Sequence, residues 1–218
     1  MTLRDKLSLA AKLSVPAIMA QLSSILMQYI DASMVGRLGA DPSASVGLMS
    51  SSLWFFWGIC SMVTMGFSVQ VAHRLGAKER TEARSVVRQG ITSCLLFSAA
   101  AAVVGLLISP YLPVWLGGEP SITRGATLYF AVFVAALPLL TMNYLAGGCL
   151  RSSGNMKVPS MLNVLMCVMD IVFNFFLIFP SRYLDIFGIH IWVPGADLGI
   201  LGAALGTVAA EIVTAGLM

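Results

Sequence analysis

Three carboxylic acids, Asp31, Asp170 and Glu211, stand inside otherwise apolar stretches of this sequence, and none has a Lys or Arg in the same stretch to neutralise it. An acid held at the middle of a membrane helix costs about 2.5–3.5 kcal/mol on insertion scales, so it persists where it serves a purpose. The neighbours of two of these acids form patterns. Gln21, Ser24, Gln28 and Asp31 are separated by 3, 4 and 3 residues, and Asn163, Cys167, Asp170 and Asn174 by 4, 3 and 4. Both spacings place the set on one face of a helix. Two polar stripes that each carry a carboxyl group cannot both face lipid, and a polar, water-accessible interior satisfies them. There the acids can hold a proton or a small cation. The same stripes also suit hydrogen bonding between helices. For the Ser and Gln members both roles stay open. For Asp31 and Asp170 the ion-holding role is favoured, since a neutral Asn bonds as well without the cost of ionisation. Thr207 and Glu211, one turn apart, form a weaker pair, and Glu211 lies close enough to the end of its stretch to snorkel.

The elements that carry these residues follow from length and hydropathy. The chain is 58% hydrophobic and 11% charged, against about 25% charged for a soluble domain, whose surface must face water. Its mean hydropathy is +0.87. Crossing the hydrocarbon core takes about 20 mostly apolar residues. Six windows qualify, near 15–36, 47–72, 89–109, 127–149, 158–179 and 199–218, and the breaks between them carry Gly, Pro and charge. The expected fold is therefore all-α, a polytopic membrane protein of six transmembrane helices. The first window is too long for a signal-peptide core and is interrupted by Gln21, Gln28 and Asp31, so it reads as a retained span. Ten of the thirteen Lys and Arg residues fall on one side of this arrangement: Arg4, Lys6, Lys12, Arg74, Lys78, Arg80, Arg84, Arg88, Arg151 and Lys157. The other side has Arg37, Arg124 and Arg182. The excess puts the N-terminus and the second and fourth connections in the cytosol. The last window runs to Met218 with no polar closure, as in a piece of a longer chain.

Other chemistry is disfavoured. The basic residues form short runs rather than a stripe with interleaved aromatics, which argues against nucleic acid. Cys60, Cys94, Cys149 and Cys167 lie in apolar segments without metal-ligand or disulfide spacing. A hydrolytic enzyme needs a nucleophile and base in hydrogen-bond reach, whereas His73 and His190 lie outside the spans at opposite faces. Gly199, Gly202, Gly206 and Ala210 give small-xxx-small packing. Pro16, Pro138 and Pro159 are candidate kinks. Tyr183, Phe187 and Trp192 suit either a segment lying on the outer surface or an ordinary exposed loop. Trp54 and Trp57 are expected as interfacial anchors.

Five motifs in order complete the picture. They are Pro16; Asp31-Ala-Ser-Met-Val-Gly36-Arg-Leu-Gly39; Gln70-Val-Ala-His-Arg-Leu-Gly76-Ala77; Arg151-Ser-Ser-Gly154-Asn-Met-Lys-Val-Pro159; and Gly199-Ile-Leu-Gly202-Ala-Ala-Leu-Gly-Thr207. Together they resemble the MATE (multidrug and toxic compound extrusion) transporters over essentially the whole chain. The resemblance implies one N-terminal, six-helix lobe of a twelve-helix, two-lobe antiporter in the plasma membrane, its C-terminal lobe lying beyond this chain. Such an antiporter exports organic cations and other amphipathic compounds in exchange for H⁺ or Na⁺, with no further cofactor. It also implies a cation or proton site at Asp31, Asp170, Asn174 and Thr207, where Na⁺ is the alternative to H⁺. Ser24, Gln28 and Asn163 would then line the substrate cavity. The family order in span five is Asn then Asp, and here Asp170 and Asn174 stand exchanged. A related flippase of a lipid-linked precursor is the alternative function, but such a cavity is expected to hold basic residues and no span interior here has one.

Overall fold

A computed structural model describes the backbone of residues 3–186 and 189–217 and the side chains of residues 14–183 and 192–217. Helix α1 runs Leu3–Gly36, α2 Ala40–Gly76 and α3 Arg80–Ile108. A single turn, α4 (Leu112–Trp115), precedes α5 (Pro120–Ala135) and α6 (Leu137–Ser152). Helix α7 (Lys157–Ile178), a hairpin of β1 (Pro180–Ile186) and β2 (Ile189–Ala196), and α8 (Gly199–Gly216) complete the chain. Each apolar window of the sequence lies on helix.

The fourth window is broken rather than straight. Helices α5 and α6 meet at Ala136 with a bend of 46°. Pro138, second in α6, has no N–H to give and its ring crowds the carbonyl of Val134 one turn back, so the helix turns there. Among the described residues four helices, α2, α3, α7 and α8, are long and apolar enough to cross a membrane, and the bent pair taken as one span makes a fifth. Helix α1 has the length, at 34 residues, but Gln21, Gln28 and Asp31 dilute its apolarity.

Two groups of helices build the lobe. Helices α2, α3, α5 and α6 close around Met49, Cys60, Phe130 and Val134, all buried, and Phe56 meets Phe130 edge-on at 5.7 Å. Helix α7 lies between α1 and α8, and α8 also packs on α5. Two side-chain bonds fix the direction of travel. Near the start of both helices Ser45 Oγ donates to the Ile122 carbonyl of α5 at 3.1 Å. At the far end Ser152 Oγ of α6 donates to the Ser68 carbonyl of α2 at 2.8 Å. Helix α2 and the bent pair therefore run side by side in the same sense, with the Lys78 and Arg151 turns at one end and the Gly39 and Glu119 turns at the other.

The segment between α7 and α8, expected as a surface-lying stretch or a plain loop, is an antiparallel hairpin in which Tyr183 pairs with Trp192. Alternating Ile, Val and aromatic residues favour the pleat, and Pro180 sits at the first strand position, where no ladder donor is needed. Arg182 lays its guanidinium over the rings of Phe175, at 4.8 Å, and Phe179, at 4.3 Å, tying the hairpin to the end of α7. Phe187 lies outside the described residues. Trp54 and Trp57 also depart from expectation. They stand near the middle of α2 rather than at an interface, and Trp57 packs edge-on against Tyr144 of α6 at 5.1 Å. The cysteines are free, three of them buried and Cys149 half-buried.

A single cysteine at Lys78 or at Arg151 is expected to react with an impermeant thiol reagent from one side of the membrane, and one at Glu119 from the other. Labelling of Lys78 and Glu119 from the same side would overturn this arrangement of spans.

Candidate functional site

Helix α7 brings Asp170 and Asn174 to its buried face, one turn apart, and both side chains are 0% exposed. Across from them α1 presents Asp31, which is half-buried. The Asn174 amide joins the three. Its Nδ2 donates to Asp31 Oδ1 at 2.9 Å and to Asp170 Oδ2 at 3.1 Å. An Asn amide has two N–H groups, and here both are used. Two acids thus converge on one neutral donor. Among the described residues the lone ion pair, Arg74–Glu79 at 2.7 Å, lies in the exposed turn between α2 and α3, away from this cluster.

Close packing of α8 sets the depth of Asn174. A Cβ on Gly206 would overlap the Asn174 amide oxygen, and one on Gly202 would overlap the Leu177 carbonyl. The two glycines therefore form a track in which the α7 backbone is seated, as the small-residue spacing predicts. Asn174 Oδ1 has no hydrogen-bond partner because it abuts the bare Cα of Gly206, at most a weak C–H···O contact.

Asp170 Oδ1 is the more telling orphan. It is fully buried and no donor reaches it, a state that costs about 1–3 kcal/mol for a neutral acceptor and more for a charged one. Thr207 lies beside Asp170. Its hydroxyl bonds the Ala203 carbonyl at 3.1 Å and can turn toward the neighbouring carboxyl. An unmet carboxylate oxygen, a second acid and a hydroxyl oxygen together make an all-oxygen set. Such a set fits a proton or a hard monovalent cation such as Na⁺, and not a thiophilic metal. No cluster of three His, Cys, Asp or Glu side chains suited to a metal occurs among the described residues.

The outlying members of the two stripes divide. Asn163 Nδ2 donates to Ser24 Oγ at 2.9 Å and to the Ala20 carbonyl at 3.0 Å, fastening α7 to α1. These two residues meet each other's needs, as interhelical bonds do. Gln21 and Gln28 are exposed. The helical spacing groups all four residues of α1, whereas only Ser24 and Asp31 bond to α7.

Two polar residues escaped the sequence reasoning. Tyr129 of α5 lies within electrostatic reach of Asp31 and Asp170. Asn143 of α6 bonds Glu211 of α8, so Glu211 reaches a partner inside the lobe instead of snorkelling. A lone neutral Asn or Tyr costs little in a membrane helix, and an isolated example gives no periodic signal.

Comparison with known proteins agrees with this architecture. The model of the MatE family matches residues 16–176. A probable multidrug resistance protein NorM from Streptococcus pneumoniae serotype 4 is 27% identical over 218 residues, covering 99% of this chain and 45% of that protein. Another, from Oceanobacillus iheyensis, is 26% identical over 190 residues, covering 86% of this chain and 42% of that protein. The chain thus spans less than half the length of these curated relatives. Among solved structures, a multidrug resistance MATE family transporter of the MOP superfamily in an outward-facing conformation superposes with a TM-score of 0.83 at 22% identity. The match covers 96% of this chain and 43% of that one. A MOP superfamily transporter from Pyrococcus furiosus, for which a binding pocket of reverse polarity suggests a different function, gives the same TM-score and identity. At that identity the likeness establishes the shared fold. With the family model spanning well over half of its residues, this multi-pass membrane chain belongs to the MatE family.

Proposed function

We propose that this chain forms the N-terminal lobe of a secondary active antiporter in the plasma membrane. It exports organic cations or other amphipathic compounds as H⁺ or Na⁺ moves inward. The observation that carries the proposal is the Asp170 carboxylate oxygen, buried without a donor beside a second acid that shares its one amide. An arriving ion meets that unmet demand. It binds best when α1 and α7 are drawn together around Asn174, and an ion that favours one arrangement of the helices over another shifts their balance. Asp31, Asp170, Asn174 and Thr207 hold the ion. Gln28, exposed on the lobe surface, lines the path of the compound, and Ser24 and Asn163 keep α1 in register with α7. A C-terminal lobe of the same protein supplies the opposite wall. The N-terminus and the Lys78 and Arg151 turns face the cytosol, in line with the excess of basic residues there.

The test uses the full-length parent protein in sealed vesicles with a fluorescent organic cation such as ethidium. An imposed H⁺ gradient or an imposed Na⁺ gradient, applied separately, is expected to drive ethidium movement against the flow of the coupling ion. Dissipating that gradient returns movement to the level of protein-free vesicles. Movement unaffected by either gradient would sink ion-coupled antiport.

A further inference from the structure

The polar contact between α6 and α8 has a defect with a single chemical remedy. Asn143 Nδ2 donates to Glu211 Oε2 and lies 3.5 Å from Thr214 Oγ1. The other end of the same amide, Asn143 Oδ1, is buried with no donor. Thr214 cannot supply one, because its hydroxyl is directed back to the carbonyls of Ala210 and Glu211, each at 3.1 Å. Asn143 borders a cavity of about 270 Å³ whose other walls include Val87, Ile91, Met142, Leu145, Ala146 and Cys149. Apart from Asn143 itself, a cavity so lined offers water almost nothing to bond to. An ionised carboxylate only accepts hydrogen bonds, whereas a carboxylic acid has one O–H to give. A proton on Glu211 is therefore the missing donor.

We propose that Glu211 is a second proton-binding site of the lobe, separate from the Asp31–Asp170 pair, whose protonated carboxyl closes a two-point acid–amide bond with Asn143 and so ties α6 to α8. In the bound state Asn143 Nδ2 donates to one carboxyl oxygen and the other carboxyl oxygen donates its proton to Asn143 Oδ1. When the proton leaves, one of the two bonds is lost and the amide oxygen is orphaned. The groups facing Glu211 from the neighbouring helices are Asn143 on α6 and, at charge–charge range, Asp170 on α7. Asp31 on α1 and Tyr129 on α5 gather at the other cluster. None of these is basic, and no ion pair reaches Glu211 among the described residues. Glu211 lies toward the end of the lobe that carries the Lys78 and Arg151 turns, since its partner Asn143 stands about two turns before Arg151 on α6.

Glutamine is the decisive replacement, because its amide gives Asn143 Oδ1 a hydrogen and its carbonyl accepts from Nδ2, a permanent copy of the protonated state. In pH-difference infrared spectra of the protein in lipid vesicles, wild type minus Glu211→Gln is expected to show one protonated-carboxyl band. That band should persist in an Asp31→Asn background and shift in frequency in Asn143→Leu. Spin labels at Tyr144 on α6 and Val213 on α8, both exposed, are expected to report a spacing that changes with pH in wild type and stays at its low-pH value in Glu211→Gln. A spectrum unchanged by Glu211→Gln, or a label spacing with the same pH dependence in both proteins, would overturn the proposal. So would failure of Glu211→Gln to accumulate, since the substitution preserves both bonds.

Discussion

Replacing Asp170 by Asn in the full-length parent protein is expected to bring ion-coupled efflux down to that of protein-free vesicles, and exchanging the pair, Asp170→Asn with Asn174→Asp, is expected not to restore it. The single change keeps the shape of the side chain and an oxygen that accepts from Asn174, so the helices stay packed. What it removes is the charge on the orphaned oxygen. Asp31→Asn should give the same loss, with insertion and abundance near normal, since Asn174 still finds an acceptor there. The exchange is more discriminating. It moves a carboxylate by four residues, about 6 Å along the helix, while leaving the number of acids unchanged. If number alone mattered, activity would return. Position 174, however, is where one amide donates to both Asp31 and Asp170, at 2.9 and 3.1 Å. An acid placed there faces Asp31 directly, and the amide that bridges the two acids in the native arrangement is gone from that depth. Efflux measured for the two variants at matched expression settles the matter, and substantial recovery in the exchanged protein would show that the charge is free to sit at either depth.

The second large effect is expected from one methyl group. Gly206→Ala places a Cβ against the Asn174 amide oxygen, 3.0 Å from its Cγ and 3.1 Å from its backbone nitrogen. Flexible neighbours can yield to such an intrusion, but here the amide is held by two acids and the α7 backbone is seated again at Gly202. Either α7 and α8 part, or the amide turns and abandons Asp31 and Asp170. Overpacking of this kind costs about 1–3 kcal/mol, so the midpoint of thermal unfolding should fall while efflux is lost. Gly66→Ala provides the control, because a Cβ there meets nothing within 4 Å and Ala favours the helix. A stable, active Gly206→Ala protein would mean that α7 and α8 do not pack this closely in the membrane.

The acids of the site were legible in the sequence because charge inside an apolar run is expensive and therefore informative. Asp31, Asp170 and Asn174 stood out, and the structure brings all three together. The spacing of Gly202 and Gly206 likewise announced close packing against another helix, though not that Asn174 would be what it accommodates. Helical periodicity was a blunter guide to facing. It grouped Gln21 and Gln28 with Asp31, yet both glutamines are exposed, since a polar stripe wider than one contact cannot all reach the same neighbour. Asn143 stayed hidden because its significance comes from a partner 68 residues away. The hairpin between α7 and α8 was missed because prolines, glycines and aromatics between two spans suggest a loop as readily as two strands. Pro138 was noted as a kink, but the size of the bend depends on how α5 and α6 pack against different neighbours.

Asp31 and the amide that meets it are 143 residues apart in the chain, and this bears on how the lobe is made. At about 5–20 residues per second of synthesis, roughly 7–30 s pass between the emergence of α1 and that of Asn174. Through that interval the first helix carries an acid with no companion in the nascent protein. Its settling in the bilayer is therefore provisional, and the lobe becomes committed only when α7 arrives. Truncating synthesis before Asn174 should leave α1 easily extracted from the membrane, and Asp31→Asn should make the same fragment hold fast.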